Sequence, residues 1–172
     1  MEQRWPEGEA SPPPKHSHAA VATHDMASVI VTCGLSGTEK PLNCVHRFSV
    51  DTLTWERLPV RGLLPRFGHT AHIVDMTTLV LVGGVSGACG NPCGLAVVDL
   101  VSATCREVAL PGQDPKHPFM TSGHTSVLVR DSDSGARILV IGGGGNCFSF
   151  GTHFNRHIAV IDLNRLCKHV ME

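Results

Sequence analysis

A pattern of apolar segments that repeats three times constrains the fold of this chain more than any other feature of its sequence. Each repeat has a histidine, an apolar segment, and a second apolar segment that ends at glycine. The histidines are His18, His69 and His124, at intervals of 51 and 55 residues. A third apolar segment follows in each repeat, and a short fourth one follows in two repeats, at 55–58 and 105–108. Self-similarity at intervals of about 50 residues predicts an architecture of stacked repeats.

The composition of these segments predicts strands. They are short, rich in Val, Ile, Leu and Thr, and separated by turn residues, and none has a convincing helical period. Four short strands in a repeat of about 50 residues are typical of one blade of a β-propeller. We therefore expect an all-β fold, an incomplete β-propeller of about three four-stranded blades. The expected divisions are the end of a preceding blade and a linker at 1–14, then repeats at 15–60, 61–112 and 113–172, the last one incomplete.

Several recurring residues are expected to have structural roles. Glycine permits positive φ and close approach where the second strand, expected near the propeller axis, turns out of the sheet. The recurring histidines are expected to bond to the backbone of a neighbouring blade. Asp51, Asp99 and Asp162 are expected to cap the turn after the third strand. The structural repeat positions are His18, His69, His124, Gly83, Gly84, Gly142, Gly143 and Trp55.

Composition and charge argue against several classes of function. Charged residues are 17% of the chain and the formal net charge is −1, which does not suit a general basic surface for nucleic acid. No apolar run reaches the roughly 18 residues of a membrane helix, so we expect no membrane partner. Residues 1–14 lack the apolar centre of a signal peptide. Seven cysteines without such a signal predict reduced thiols in the cytoplasm or the nucleus.

Two further features have a functional and a plain interpretation. Cys89 and Cys93 have the spacing of half a zinc site, but four ligands are needed and there is no second cysteine pair. We therefore expect an ordinary loop there and no metal. Arg66 and Lys116 precede the first strands of the second and third repeats. They are interpreted either as part of a solvated face or as a rim that contacts phosphate.

The segment 142–155 is the most unusual part of the sequence, with more Gly, Phe and Asn than a blade connection needs. Glycine allows a ligand to approach the backbone and phenylalanine offers a stacking face for a base. The same residues could instead fill space between blades, and both interpretations stay open. A nucleotide-binding loop is disfavoured, because Cys147 and Phe148 stand where G-x-G-x-x-G requires glycine. The candidate substrate-binding residues are Asn146, Cys147, Phe148, Ser149, Phe150, His153 and Asn155.

The glycines that follow hydrophobic strands, together with Trp55, resemble the kelch family over roughly residues 15–163. The segments 118–125 and 142–155 are also similar to the kelch region of the wybutosine-synthesizing tRNA methyltransferases, the leucine carboxyl methyltransferase 2 family. In that family a kelch propeller is joined to a domain that binds S-adenosyl-L-methionine. The resemblance implies a methyltransferase and methoxycarbonyltransferase activity of the parent enzyme on tRNA-Phe, next to the anticodon.

For this chain, the resemblance implies a non-catalytic part of such an enzyme. The methyltransferase domain has no counterpart in the sequence, so we expect no catalytic residue and no cofactor bound to this chain. The implied role is substrate binding or scaffolding, with tRNA-Phe or the methyltransferase domain as partner. The alternative is a generic kelch module that binds a protein partner. Trp5 precedes His18 by 13 residues and Trp55 precedes His69 by 14, so we expect a fragment of a larger propeller.

Overall fold

A computed structural model describes residues 11–87, 91–110, 119–131, 135–147 and 151–164. All of its named elements are β-strands, and three antiparallel sheets correspond to the three sequence repeats. The prediction of an all-β fold with three blades is confirmed. Within the described ranges no helix is long and apolar enough to cross a membrane.

Blade 1 is a four-stranded antiparallel sheet with strand order β2-β3-β5-β6, and β1 pairs separately with β4. Its strands are β1 (Lys15–His16), β2 (Ala19–Ala22), β3 (Ser28–Thr32), β4 (Leu35–Ser36), β5 (Val45–Ser49) and β6 (Thr54–Leu58). Sequence neighbours therefore lie side by side in the sheet, which requires only short connections.

Blade 2 repeats this arrangement with strand order β7-β8-β11-β12, and β9 pairs with β10 in a small hairpin. Its strands are β7 (Thr70–Ile73), β8 (Thr78–Val82), β9 (Val85–Ser86), β10 (Asn91–Pro92), β11 (Leu95–Asp99) and β12 (Thr104–Val108).

Blade 3 has three described strands in its sheet, in the order β13-β14-β17, and a separate hairpin of β15 and β16. Its strands are β13 (His124–Asp131), β14 (Gly135–Gly142), β15 (Gly144–Cys147), β16 (Gly151–Phe154) and β17 (Ala159–Asp162). In a four-stranded blade a further strand would follow Asp162, at about 163–169, and residues 165–169 fall outside the described residues. The domain boundaries proposed from the sequence stay a prediction.

Two apolar cores join the blades face to face. We call the side of a blade that packs on the preceding blade its leading face, and the opposite side its trailing face. In the first core, Ile30 and Val45 of the trailing face of blade 1 pack with Leu79, Leu81 and other residues of the leading face of blade 2. The second core joins the trailing face of blade 2 to the leading face of blade 3. Its buried members are Val80, Val82, Leu95, Ile138, Val140 and Leu163.

The first strands of the blades lie where the blades converge. Strand β2 contacts β7, and β7 contacts β13, while each second strand lies inside its own sheet. The second strand was expected near the axis, but it is the first strand of each blade that meets its neighbours there, with the second strand beside it in the sheet. At the glycines that end the second strand, the chain leaves the sheet and passes beside the start of the next blade.

Backbone hydrogen bonds through the second glycine of each pair connect successive blades. The Gly34 N–H donates to the Arg66 carbonyl at 2.9 Å, and the Gly84 N–H donates to the Thr121 carbonyl at 2.6 Å. A second series runs between the residues before the recurring histidines. The Gly68 N–H donates to the Ser17 carbonyl at 3.0 Å, and the Gly123 N–H donates to the Gly68 carbonyl at 3.2 Å. These bonds fix the position of each blade relative to the next.

The first residue of the glycine pair has a left-handed backbone even where it is not glycine. Cys33 has φ 52°, close to the 66° of Gly83 at the same place in blade 2. The Cys33 side chain is fully buried in the first core, where burial raises the pKa of its thiol to about 12. Blade 1 thus accepts the backbone strain of a non-glycine residue and gains a small apolar side chain in the core.

The turn after the third strand is capped two positions earlier than expected in blade 1. In blade 2 the Asp99 carboxylate accepts the N–H groups of Val101 and Ser102 at 2.7 and 3.1 Å, as predicted. The strand register matches Asp99 with Ser49, because Asp99 pairs with Thr78 and Ser49 with Ser28. Ser49, not Asp51, therefore takes this role, and its hydroxyl accepts the Thr52 N–H at 3.4 Å.

Replacing Gly83 by alanine is expected to destabilise the chain much more than the same replacement at Gly87. Their φ angles are 66° and 69°, so alanine costs about 1–2 kcal/mol in backbone strain at each. A Cβ at Gly83 would lie 2.2 Å from the Cβ of Thr121, whereas one at Gly87 would meet open space. We expect a loss of about 3 kcal/mol or more for Gly83→Ala, measured by urea unfolding. Equal losses in the two variants would show that the blade contact is loose.

Candidate functional site

The unusual glycine-rich segment forms a hairpin that projects from blade 3. Gly144 pairs with Phe154, Asn146 with Thr152, and Cys147 with Gly151. The sequence placed this segment in the connection between the second and third strands of the last blade and did not predict strands within it. The two-residue strands β9 and β10 form a smaller hairpin at the same place in blade 2. Blade 3 therefore carries an extended version of a connection that its neighbour also has.

The structure brings only part of the predicted substrate-binding set into view. Asn146 and Cys147 lie on β15. His153 lies on β16, where it pairs with Gly145 of β15. Phe148, Ser149 and Phe150 fall outside the described residues. A substrate-binding role for this set stays a prediction.

Asn155 fixes the base of the hairpin to the body of blade 3. Its side-chain oxygen accepts the Met120 N–H at 3.0 Å, and its amide donates to the carbonyls of Met120 and Gly142 at 2.5 and 2.7 Å. Its own N–H donates to the Gly143 carbonyl at 3.0 Å. The side chain is thus engaged by the backbone of its own blade. It holds the hairpin in position, and a ligand would have to displace these bonds to contact it.

Beside this anchor, an exposed strip leads away from the hairpin. The Phe154 side chain is 74% exposed, and Arg156 and His157 are also exposed. An exposed aromatic ring and an exposed guanidinium group two residues apart in sequence offer a stacking surface and a donor for phosphate. Phe154 lies in the segment 142–155 that the sequence singled out, but its exposure together with that of Arg156 was not predictable. His157 was missed, because nothing in the repeat pattern separates it from its neighbours.

Two of the recurring histidines, His69 and His124, hydrogen-bond to hydroxyl groups of the preceding blade, whereas a bond to its backbone was expected. The Nε2 of His69 is 2.8 Å from the Thr32 hydroxyl of blade 1. The Nε2 of His124 is 3.0 Å from the Thr70 hydroxyl of blade 2. His18, at the corresponding place in blade 1, is exposed. The structural role of these positions agrees with the contacts of His69 and His124 and stays a prediction for His18.

Burial lowers the pKa of the histidines between the blades. Desolvation lowers the pKa of His69 to about 3, with nearby Arg66 adding to the effect. Desolvation also lowers the pKa of His124 and of His72. The Nε2 of His72 lies 2.6 Å from the hydroxyl of Ser126, which links β7 to β13. Neutral imidazoles are therefore part of the contact between blades.

Arg66 is a buried structural residue and does not lie on a solvated or phosphate-contacting rim. Its side chain is fully buried, and Nη2 lies 2.5 Å from both carboxylate oxygens of Glu107 on β12. Its Nη1 donates to the Gly83 carbonyl at 3.1 Å. A buried guanidinium needs this many partners, because an unpaired buried charge is very costly. Lys116, the other residue considered for the rim, falls outside the described residues.

Trp55 packs on the leading face of blade 1. Its ring centroid lies 4.9 Å from that of Phe48 at a tilt of 48°, and 6.4 Å from that of His46 in an edge-on arrangement. Offset and edge-on contacts are the favoured aromatic geometries. The structure thus places this residue in packing, which suits its assignment as a structural repeat position.

The cysteine pair and the glycine run do not offer a metal or cofactor cradle in the part of the chain that is described. Cys93 is buried, burial raises the pKa of its thiol, and Cys89 falls outside the described residues. No group of three or more His, Cys, Asp or Glu among the described residues could hold a metal ion. After Gly143 the chain enters β15, not a helix. The described part of the run therefore lacks the helix N-terminus that holds a dinucleotide phosphate.

Comparison with known proteins gives matches of two kinds. A family model described as "KLHDC2/KLHL20/DRC7 Kelch-repeats domain" matches residues 2–167. The chain is similar to tRNA wybutosine-synthesizing protein 4 of Homo sapiens, with 36% identity over 164 residues, and of Rattus norvegicus, with 35% over 166 residues. A third relative, acyl-CoA-binding domain-containing protein 4 of Arabidopsis thaliana, is 29% identical over 122 residues.

These matches cover most of the chain but a small part of each relative. They span 93%, 95% and 69% of the chain and 23%, 23% and 17% of the human, rat and Arabidopsis relatives. The predicted resemblance to the kelch family and to the wybutosine-synthesizing proteins is confirmed. The chain spans less than a quarter of the length of these relatives.

The His69 contact makes folding stability depend on pH. The unfolded chain binds a proton near the ordinary histidine pKa of 6.5, whereas folded His69 does so only near 3. The free energy of unfolding should therefore fall as pH decreases from about 6.5 towards 3, by up to about 1.4 kcal/mol per pH unit for each such group.

This slope is measured by urea unfolding between pH 7 and pH 5. A His69→Gln variant should show a smaller decrease, because glutamine keeps a hydrogen-bonding side chain beside Thr32 and does not titrate. His24→Gln, at an exposed turn, is the matched control. The assignment is wrong if His69→Gln keeps the full pH dependence of the unmodified chain.

Proposed function

This chain belongs to the kelch-repeat family, and we propose that it is a propeller portion that binds tRNA for a wybutosine-synthesizing enzyme. The observation that carries the proposal is the similarity to tRNA wybutosine-synthesizing protein 4, which extends over 93% of this chain. The propeller portion supplies binding and positioning. Methyl and methoxycarbonyl transfer belong to a separate domain that carries S-adenosyl-L-methionine.

The exposed strip beside the hairpin suits a single-stranded RNA loop. Proteins recognise such loops by stacking unpaired bases on aromatic rings and by contacting phosphates with arginine. Phe154 offers the ring and Arg156 the cation, two residues apart and both exposed. The net charge of the chain is close to zero, so a local contact suits this protein better than a broad basic surface.

A rigid base makes the strip useful for positioning. The side chain of Asn155 bonds to Met120 and Gly142, and Asn155 lies between Phe154 and Arg156 in sequence. A ligand bound on the strip would therefore be held relative to blade 3 without ordering a loop first, which reduces the entropic cost of binding. We place this role in the cytoplasm or nucleus, with tRNA-Phe and the methyltransferase domain as partners.

A second candidate function is a module that binds a protein. The observation that favours it is apolar exposure near the strip, where Phe154 is 74% and Ile158 59% exposed. Exposed apolar residues that lie close together are typical of protein-binding sites. This candidate predicts that tRNA does not bind the chain.

We expect Phe154→Ala and Arg156→Ala each to weaken binding of tRNA-Phe by roughly tenfold, because each removes one stacking or phosphate contact. Binding is measured by fluorescence anisotropy with the labelled anticodon stem-loop. Arg156→Ala should also reduce the salt dependence of binding, by about one unit in the logarithmic slope, whereas Phe154→Ala should not.

The matched control is Met76→Ala, which truncates an apolar side chain that is 68% exposed on blade 2. It should leave the affinity unchanged. Absence of tRNA binding by the unmodified chain, or equal losses in all three variants, would contradict the proposal and favour the protein-binding module.

A further inference from the structure

The contact between blades 2 and 3 contains a continuous row of four polar side chains. The Nε2 of His124 lies 3.0 Å from the Thr70 hydroxyl, which in turn lies 2.5 Å from the Ser126 hydroxyl. The Ser126 hydroxyl lies 2.6 Å from the Nε2 of His72. These distances are those of hydrogen bonds, and each bond joins β7 of blade 2 to β13 of blade 3. We call these four residues the polar row.

The polar row borders the second apolar core. His124 is buried and the other three members are half-buried. The strand neighbours of Thr70, His72 and Ser126 across their sheets are three buried valines of that core, namely Val80, Val82 and Val140. In such surroundings a polar hydrogen without an acceptor is costly, so the hydrogens of the row need partners within it.

Few titratable groups of the described residues lie near the polar row. The charge of His124 acts on His72, and next to His124 lies His69, on which the charge of Arg66 acts. The neighbouring strands β2 and β8 carry no titratable side chain. The charged residues of β13 and β14 lie at the end of these strands that is farthest from His124, and they are Arg130, Asp131 and Arg137. The hydrogens of the row itself therefore decide its state.

The number of hydrogens in the polar row fixes a relation between its two imidazoles. The row has three contacts, and each contact needs one hydrogen. The two hydroxyls supply one hydrogen each, so one imidazole supplies the third. If neither imidazole donates from Nε2, one contact lacks a hydrogen. If both donate, one hydroxyl hydrogen has no acceptor in the row. A complete row therefore needs one Nε2–H and one bare Nε2, which in neutral imidazoles are different tautomers.

We propose that the polar row is a pH-sensitive joint between blades 2 and 3, in which His72 and His124 have opposite tautomers. A proton taken up by the accepting imidazole makes it a second donor, because both nitrogens of an imidazolium carry hydrogen. One hydroxyl hydrogen then has no acceptor in the row, and the contact between β7 and β13 weakens. Burial lowers the pKa of both rings below the ordinary 6.5, so the joint is complete at neutral pH and is lost as the pH falls further.

The joint also holds the hairpin of blade 3. Directly before His124, the Ser122 carbonyl accepts the N–H of Gly144, the first residue of β15, at 3.1 Å. The Gly123 N–H donates to the Gly68 carbonyl of blade 2 at 3.2 Å. Proton uptake in the polar row should therefore change the hydrogen bond at Gly144. This effect does not depend on what the hairpin binds, so its test needs no ligand.

The first part of the test is nuclear magnetic resonance of the unmodified chain at pH 7, with nitrogen-15 in its histidines, since the ring nitrogens report the tautomer. We expect one of His72 and His124 to carry hydrogen on Nε2 and the other on Nδ1. The variants His72→Gln and His124→Gln identify which signals belong to which ring. The same tautomer in both rings would overturn the proposal.

The second part lowers the pH until the first of the two rings takes up a proton. We expect the amide signal of Gly144 to shift with the same midpoint as that ring. Thr70→Val removes the central hydroxyl with little change of shape, and Ser126→Ala interrupts the polar row at a second place. Either variant should abolish the shift at Gly144 and the fixed difference between the two tautomers.

Thr32→Val is the matched control, because it removes the hydroxyl that bonds His69 between blades 1 and 2. It should leave the tautomers of His72 and His124 and the shift at Gly144 unchanged. Urea unfolding at pH 7 shows whether each variant is folded. An equal effect of Thr32→Val and Thr70→Val would contradict the proposal, and so would unfolding of the whole unmodified chain before either ring takes up a proton.

Discussion

The rest of the structure depends on the close backbone contact at the second glycine of each pair. The N–H groups of Gly34 and Gly84 donate to carbonyls of the following blade, which places the ends of the second strands beside the next first strand. A Cβ at the neighbouring Gly83 would lie 2.2 Å from the Cβ of Thr121 and 2.4 Å from its carbonyl oxygen, both in the next blade. Because this approach leaves no room for a side chain, the two apolar cores can form on either side of it and the histidines can reach their hydroxyl partners.

The repeat pattern predicted the blades well because strand order follows sequence order and each apolar segment becomes one strand. It predicted less well those features that depend on contacts between repeats. Arg66 looked like a surface cation, since its partner Glu107 is 41 residues away and only the fold brings the two together. The sequence favoured Asp51 over Ser49 because the other two repeats have an aspartate after the third apolar segment. The register between β3 and β5 shows that Ser49 is the residue that caps the turn.

In the candidate site, too, the sequence indicated the segment but not the contacts that its residues make. Composition singled out the segment 142–155, and the structure gives it a defined form as the β15–β16 hairpin. Sequence alone could not separate the residues that hold this hairpin from those that present a surface. Asn155 and Phe154 are adjacent in sequence, yet one has its side chain bonded to backbone on two sides and the other is mostly exposed. Whether a side chain in this segment is bonded or exposed depends on what lies beside it in the fold. The residue type alone does not give that information.

Cys33 gives the chain a built-in reporter of motion between blades. Its side chain is fully buried in the first core, and burial raises the pKa of its thiol to about 12, so in the closed state it has almost no reactive thiolate. Modification by a thiol reagent would require blades 1 and 2 to separate locally. The labelling rate of Cys33 therefore measures how often this core opens, on the time scale of minutes to hours at which other local openings are followed.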